Sequence, residues 1–251
     1  MLVELAQTFI INILKAGPIP KHIAFIMDGN RRFGRCRYLK PGQAHSLGFE
    51  TLLKTLRLCL VLGIETVTVY AFSIENFKRT NIEVINLMKL AKEKLKELSS
   101  NKNLIEKHQI RVRVLGELNL LPEDVKEEIN NLMEFSKNHT KYILNICFAY
   151  TGQAEIAEAT KSILQDYKTN KIALMDINES LIEKHLMTFT SKDSASRPEL
   201  LIRTSGERRL SDFLLWQVAD SLLLFLKVLW PDFSFFHLAF ALFYYQHYTK
   251  I

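Results

Sequence analysis

Apolar residues recur along this chain with two different periods, and the changes of period divide it into elements. Leu2, Leu5, Ala6, Phe9, Ile10 and Ile13 stand at helical spacing, with Glu4, Gln7, Thr8, Asn12 and Lys15 between them. An amphipathic helix is therefore expected over 2–15, ended by Gly17-Pro18. Such a stripe either docks on a domain or meets an apolar surface such as a membrane. The run "HIAFIM" (22–27) is short, apolar and closed by a turn sequence, which predicts a first strand. Further strands are expected at "ETVTVYAF" (65–72), "IRVRVL" (110–115), "YILNICF" (142–148), "ELLIR" (199–203) and "SLLLFL" (221–226). Helices are expected between them, over roughly 43–61 with Gly63 closing it, 82–98, from Pro122 to about 137, 153–164 and 178–187, with an aromatic helix last.

This alternation predicts an α/β chain: a single domain whose open, mostly parallel six-stranded sheet carries helices on both faces, preceded by the amphipathic N-terminal helix. The domain division expected is 1–17 for that helix and 18–251 for the sheet-bearing domain. No internal repeat or low-complexity segment is visible, and 189–198, "FTSKDSASRP", is the most loop-like stretch. The apolar run "SLLLFLKVLWPDFSFFHLAFALFYY" is broken by Lys227, Pro231, Asp232 and His237. It reads as strand, turn and helix rather than a membrane span.

Composition adds that 48% of the 251 residues are hydrophobic, enough for a full core, while only 9 Gly and 6 Pro argue against long linkers. The net charge of +6 suits nucleic acid, an anionic membrane or an anionic small substrate. Cys36, Cys59 and Cys147 are odd in number and lack metal-binding spacing, so free thiols in a reducing compartment are expected. No secretory signal is expected: Glu4 comes early, and no basic region or small-residue cleavage site flanks the first apolar run.

In open parallel sheets, ligands bind beyond the carboxyl ends of the strands. Strand one is followed by Asp28-Gly29-Asn30-Arg31-Arg32, strand two by Ser73-Ile74-Glu75-Asn76-Phe77-Lys78-Arg79, and strand five by Arg203 and then Thr204 to Ser211. Taken singly, Asp-Gly is a turn pair, Arg31-Arg32 a solvated face, and Glu75 with Arg79 a helical ion pair. Together they offer hydroxyls, amides, arginines and acids at one mouth, an inventory for phosphate groups and a divalent metal. Several arginines there would repel one another without an anion between them. No GxxxxGK[ST], GxGxxG after strand one, HExxH or GxSxG occurs. His22 and His45 are not spaced as zinc ligands, and no nucleic-acid signature stands out.

The blocks "HIAFIMDGNRRF", "VTVYAFSIENFKR", "LLIRTSGERRLSDFLLWQ" and "VLWPDF" resemble the signature blocks of the cis-prenyltransferases, from about Pro18 to the C-terminal helix. The "DGNRRF" form is most similar to eukaryotic-type dehydrodolichyl diphosphate synthase catalytic subunits, with bacterial undecaprenyl diphosphate synthases next. The resemblance implies an enzyme that condenses isopentenyl diphosphate onto an allylic diphosphate, usually farnesyl diphosphate, with cis geometry, to make long-chain polyprenyl diphosphate for dolichol. It implies that Asp28 holds Mg²⁺ and helps the leaving group depart. Gly29, Asn30, Arg31 and Arg32 would cradle the allylic diphosphate, Phe33 would line the mouth and His45 would stand near that diphosphate. Ser73, Glu75 and Asn76 would position the pair of substrates, Asn76 assisting proton removal, with Phe77 and Arg79 beside them. Arg203, Arg209 and Ser211 would hold isopentenyl diphosphate. Catalytic roles thus fall to Asp28, Asn30, Arg32, Ser73 and Asn76.

The sequence departs from the family's homodimeric members in four places, one of them Pro41, which stands where many members have a basic residue, with Lys40 next to it, and lies outside the residues the structure describes. The homodimeric members end in an Arg-x-Gly segment that completes the partner's site, whereas this sequence ends "YYQHYTKI". Leu222 stands where bacterial relatives carry an acid, and "AYTGQAEI" replaces their Asn-Tyr-Gly-Gly-Arg block. A heteromeric partner supplying that tail is therefore expected, with a homodimer, of undecaprenyl type or with a shorter product, as the alternative. A non-catalytic subunit would be expected to have lost the Asp and arginines that this chain keeps. The apolar product implies peripheral contact with the cytoplasmic face of the endoplasmic reticulum through the first helix. No nucleic-acid partner is expected.

Overall fold

The computed structural model describes residues 2–40, 42–190 and 197–249. Its centre is a six-stranded sheet in the order β3-β4-β2-β1-β5-β6. The strands are β1 His22–Ile26, β2 Thr66–Ser73, β3 Ile110–Leu115, β4 Tyr142–Tyr150, β5 Leu200–Arg203 and β6 Leu222–Phe225. Every neighbouring pair is parallel, so the sheet is wholly rather than mostly parallel. All five residues of β1 are buried, as a run apolar on both faces requires. β1 pairs β2 on one side and β5 on the other, with Ile26 opposite Tyr70 and Arg203. This is where the winding of the sheet reverses, so the ends of β1, β2 and β5 open onto one crevice.

The helices are α1 Leu2–Lys15, α2 Asn30–Cys36, α3 Gln43–Leu62, α4 Asn81–Ser100, α5 Lys102–Ile105, α6 Glu123–Ser136, α7 Gly152–Lys168, α8 Glu179–His185 and α9 Phe235–Tyr248. α1, α3, α4, α6 and α9 contribute to the larger core over one face, around Ile23, Phe25, Val67 and Val69. Residues 213–218 and β4 build a smaller core over the other face around Ala24, Ile26 and Leu201. α3 buries Leu52, Leu53, Leu56, Cys59 and Leu62, each apolar side chain stabilising the fold by roughly 1.5–3 kcal/mol. It stops at Gly63, whose φ of 81° is left-handed.

Three readings need correction. The stretch from Asn30 to Cys36, expected as turn and cradle, is helix α2. The apolar stripe of α1 is split: Ile10, Ile11 and Leu14 face the core, while Leu5, Phe9 and Ile13 are exposed. The reason is the C-terminal anchorage of the helix, where Gln246 of α9 donates to the carbonyls of Leu14 (2.7 Å) and Pro18 (3.1 Å) and sets the helix rotation. The alternative reading of Glu75 and Arg79 as one helical ion pair does not hold, since each takes a different partner, Lys78 and Glu83. Most of the loop at 189–198 lies outside the described residues. Among the described residues, no helix is long and apolar enough to cross a membrane.

A row of polar side chains crosses the sheet. His22 Nε2 lies 2.7 Å from Thr68 Oγ1, Asn145 Nδ2 donates to the same oxygen at 3.0 Å, and Arg113 donates to the carbonyls of Met187 (2.6 Å) and Thr188 (3.1 Å). Complete burial pushes the pKa of His22 down to about 3, so it is neutral. Cys36 is exposed, whereas burial raises Cys59 to about 12 and Cys147 well above the ordinary thiol value.

Candidate active site

Asp28 leaves β1 into a position held from both ends of the sequence. Its carbonyl accepts from Trp230 N (3.0 Å) and Thr204 Oγ1 (2.6 Å). The next residue, Gly29, has φ 112°, and a Cβ there would lie 2.9 Å from Leu229 Cδ2. Only glycine meets both conditions, so Asp-Gly here is a close approach as well as a turn. The Asp28 carboxylate accepts from Ser205 Oγ at 2.7 Å and Arg203 Nη2 at 3.0 Å, with Arg32 Nη2 at 3.8 Å. Partial burial pushes its pKa up, but Ser205, Arg203 and the Gly29 amide outweigh this and hold it below the usual carboxylate value. It is an anion at neutral pH. Arg203 is itself 3% exposed, and its other terminal nitrogen donates to Ser211 Oγ (2.8 Å) and to the Arg209 carbonyl.

Around Asp28 a cavity of about 870 Å³ is lined by six arginines (31, 32, 35, 79, 203 and 209) and four acids (Asp28, Glu75, Glu207 and Asp212). The excess of positive charge favours an anionic occupant. The acids space the arginines. Glu207 pairs with Arg32 (3.6 Å) and Arg209, and Glu83 pairs with Arg79 (3.0 Å) and Arg31 (3.6 Å). His45 also lines the cavity; burial, then Arg79 and Arg31, push its pKa down, so the ring is neutral and adds no charge. Asn30 donates to the Met27 carbonyl (3.2 Å), while its Oδ1 is buried with no hydrogen-bond partner among the described residues.

The turn after β2 is shaped by its own side chains. Ser73 Oγ accepts from Glu75 N (3.2 Å) and Asn76 Oδ1 accepts from Ser73 N (3.1 Å), a reciprocal cap. Glu75 pairs with Lys78 (2.6 Å), and Arg79 pairs with Glu83, because 74–78 is a 3₁₀ turn in which i and i+3 eclipse. The alternative Glu75–Arg79 pair is thereby replaced.

Of the residues singled out in the sequence, Asp28, Gly29, Asn30, Arg31, Arg32, His45, Ser73, Glu75, Asn76, Arg79, Arg203, Arg209 and Ser211 all line this cavity. Phe33 and Phe77 do not. Phe33 is buried beneath Arg37, whose guanidinium lies 4.4 Å from the ring centre, and Phe77 packs edge-on against Phe72 at 4.9 Å. Sequence reasoning passed over Glu83 and Asp212, and gave Ser205 and Glu207, within the block after strand five, no individual role. The partnership of Ser205 with Asp28 was hidden by distance, the two being 177 positions apart. Glu83 sits four residues after Arg79, a helical spacing that signals the pair.

Beneath the polar cavity lies an apolar channel of about 170 Å³ between α3 and α4, lined by residues such as Leu52, Ala91, Leu95 and Phe148. Asn30, Ala71 and Phe72 border both spaces, so the polar chamber opens onto the apolar one. Among the described residues, no group of three or more His, Cys, Asp or Glu side chains is placed to hold a metal ion. A divalent cation here would take Asp28 as its protein ligand and draw its remaining oxygens from a phosphorylated ligand and water. Mg²⁺ accepts such a set.

The family described as "Putative undecaprenyl diphosphate synthase" matches residues 26–250 of this chain. The chain is 49% identical over 243 residues to a dehydrodolichyl diphosphate synthase complex subunit of Homo sapiens, covering 97% of this chain and 72% of the relative. It is 43% identical over 230 residues to the tritrans,polycis-undecaprenyl-diphosphate synthase (geranylgeranyl-diphosphate specific) of Pyrococcus furiosus, covering 92% and 85%. The crystal structure of lavandulyl diphosphate synthase from Lavandula x intermedia, in complex with dimethylallyl diphosphate, superimposes with a TM-score of 0.85 at 32% identity, covering 90% of this chain and 95% of that one.

Proposed function

The chain belongs to the undecaprenyl diphosphate synthase family of cis-prenyltransferases, and from that premise we propose that it extends an allylic diphosphate with isopentenyl diphosphate to make a long polyprenyl diphosphate, the precursor of dolichol. One observation carries the reading: an arginine-lined chamber centred on an ionised aspartate opens directly onto an apolar channel. Two diphosphates need the first space and a growing hydrocarbon needs the second.

In this reading Gly29, Asn30, Arg31, Arg32 and His45 face the diphosphate of the allylic substrate, taken to be farnesyl diphosphate. Arg203, Arg209 and Ser211 face isopentenyl diphosphate. The allylic carbon–oxygen bond breaks and diphosphate leaves with the electron pair. The alkene of isopentenyl diphosphate then attacks the allylic cation, and loss of a proton restores a double bond. Asp28 would hold Mg²⁺, which when bound would supply positive charge to offset that of the leaving diphosphate. The protein's part is to position two anions and offset their repulsion. Asn76 is placed beside them, although its side-chain oxygen is engaged by Ser73 N.

The human relative is named as a complex subunit, which supports a second subunit as partner here. The exposed Leu5, Phe9 and Ile13 of α1 support peripheral contact with a membrane, on the cytoplasmic face of the endoplasmic reticulum. The test is incubation with farnesyl diphosphate, labelled isopentenyl diphosphate and Mg²⁺, alone and with the partner subunit, followed by product sizing. Long cis-polyprenyl products that vanish with chelation are expected; no incorporation under any condition would overturn the proposal. Strong synthesis by the pure chain would remove the partner from it. Equal recovery on floated vesicles with and without residues 1–16 would remove the membrane contact.

A further inference from the structure

Three residues of the segment 211–214, beyond β5, sit in a conformation that L side chains rarely adopt: Ser211 (φ 51°), Asp212 (φ 59°) and Leu214 (φ 49°). None is glycine, so the surrounding structure must hold them there. The holding contacts come from the start of α7. Gly152 N donates to the Asp212 carbonyl at 2.7 Å, and Gln153 N donates to Asp212 Oδ1 at 2.9 Å. The third amide, Ala154 N, goes to Thr151 Oγ1 at 3.3 Å. Asp212 thus satisfies two of the first three amides of a helix more than fifty residues away, a cap supplied from outside the helix. A Cβ on Gly152 would lie 3.0 Å from Leu215 N and 3.3 Å from Asp212 Oδ1, so the loop is seated as closely as a glycine permits.

The other side of the loop faces the active site. The Ser211 carbonyl accepts from Tyr70 Oη (3.3 Å), and Phe213 stacks on Tyr70 with centroids 4.6 Å apart. Ser211 Oγ accepts from Arg203, which reaches Asp28 with its other nitrogen. A continuous line of contacts therefore runs from the α7 amides through Asp212, Ser211 and Arg203 to Asp28. Asp212 lines an anion-attracting cavity, where its negative charge would repel a diphosphate. Its engagement with the helix amides gives that carboxylate a different task.

We infer that Asp212 is a positioning residue for isopentenyl diphosphate, acting as a hydrogen-bond acceptor toward α7 that fixes Ser211 and Arg203, and not through its charge. This rests on the proposed assignment of Arg203, Arg209 and Ser211 to that substrate. Asp212→Ala removes the acceptor; Asp212→Asn keeps an amide oxygen in its place. Steady-state kinetics with each substrate varied in turn should show the KM for isopentenyl diphosphate raised about tenfold in Asp212→Ala, with the KM for farnesyl diphosphate within about twofold, the effect of one lost cap expressed at one site. Asp212→Asn should stay within about threefold of the parent for both. Gly152→Ala, which leaves Asp212 intact but pushes the loop, should reproduce the split and decides the matter if Asp212→Ala does not fold.

Amide hydrogen exchange and titration with inorganic pyrophosphate supply a readout independent of turnover. Faster exchange over 204–214 and weaker pyrophosphate binding in Asp212→Ala, both restored in Asp212→Asn, are expected. If the parent chain makes no product, the proposed function fails while this readout still judges Asp212. Equal losses for Asp212→Asn and Asp212→Ala would overturn the inference in favour of charge. Unchanged kinetics and exchange in Asp212→Ala, or equal rises of both KM values with a lowered Tm, would also overturn it.

Discussion

The polar chamber and the apolar channel share a wall but are built on opposite principles. The chamber, about 870 Å³, is assembled from loops at the ends of β1, β2 and β5, and its arginines are already held apart by Glu83 and Glu207. The channel, about 170 Å³, is a gap between α3 and α4 maintained only by side-chain packing. The channel is much the smaller of the two spaces. The electrostatic half of the site is thus preorganised, whereas the apolar half must widen as its occupant grows. Charge needs fixed partners because desolvated ions are costly, while apolar contacts are non-directional and tolerate rearrangement.

The two halves should therefore fail differently. Asp28→Ala should lower turnover on the order of a thousandfold while the chain still folds, measured by single-turnover rates and circular dichroism. A near-normal rate would put the centre of the chamber elsewhere. Arg203→Lys keeps the charge but loses the fork that reaches Ser211 and Asp28 together, and should raise the KM for isopentenyl diphosphate about 10- to 100-fold. Ala91→Phe narrows the channel alone. The first condensation should stay within about threefold while products shorten, seen by chromatography of a timed reaction; equal loss of the first step would show the halves to be one unit.

A different measurement tests the sheet on which both stand. The folded pKa of His22, about 3, lies below its unfolded value near 6.5. The unfolded chain therefore takes up a proton between these values that the native one does not. Stability is fully present above pH 6.5 and should fall by about 1.4 kcal/mol per unit below it, down to pH 3. Urea unfolding across that range should show the slope, and His22→Gln should flatten it.

The elements that sequence periodicity located most directly are those whose pattern is local. β1, β2 and β4 were legible as apolar runs, and α3 and α6 as helical ones, within two or three residues of their observed ends. α2 was not, because Asp28-Gly29-Asn30 signals a turn and the following arginines carry no apolar period. The rotation of α1 escaped for a different reason: Ile11 and Leu14 face inward because α9 holds its end, a contact 232 positions away. At the site, strand ends pointed to the right loops, since topology follows from alternation. The pairing within those loops did not follow, because left-handed residues at Ser211 and Asp212 are imposed by α7 and not by their own preferences.

The sheet order has a consequence in time. β1 is made early but is not flanked on both sides until β5 exists, and the carboxylate of Asp28 meets the hydroxyl of Ser205 across 177 residues. At ribosomal rates of roughly 5–20 residues per second, that interval lasts on the order of ten to thirty-five seconds. During it the central strand presents an unpaired apolar edge, the kind of surface on which nascent chains aggregate. The contacts that hold Asp28 are thus late to form, that of Ser205 first and that of Trp230 later still, and a chain interrupted before residue 200 would carry this aspartate without the strand that flanks it.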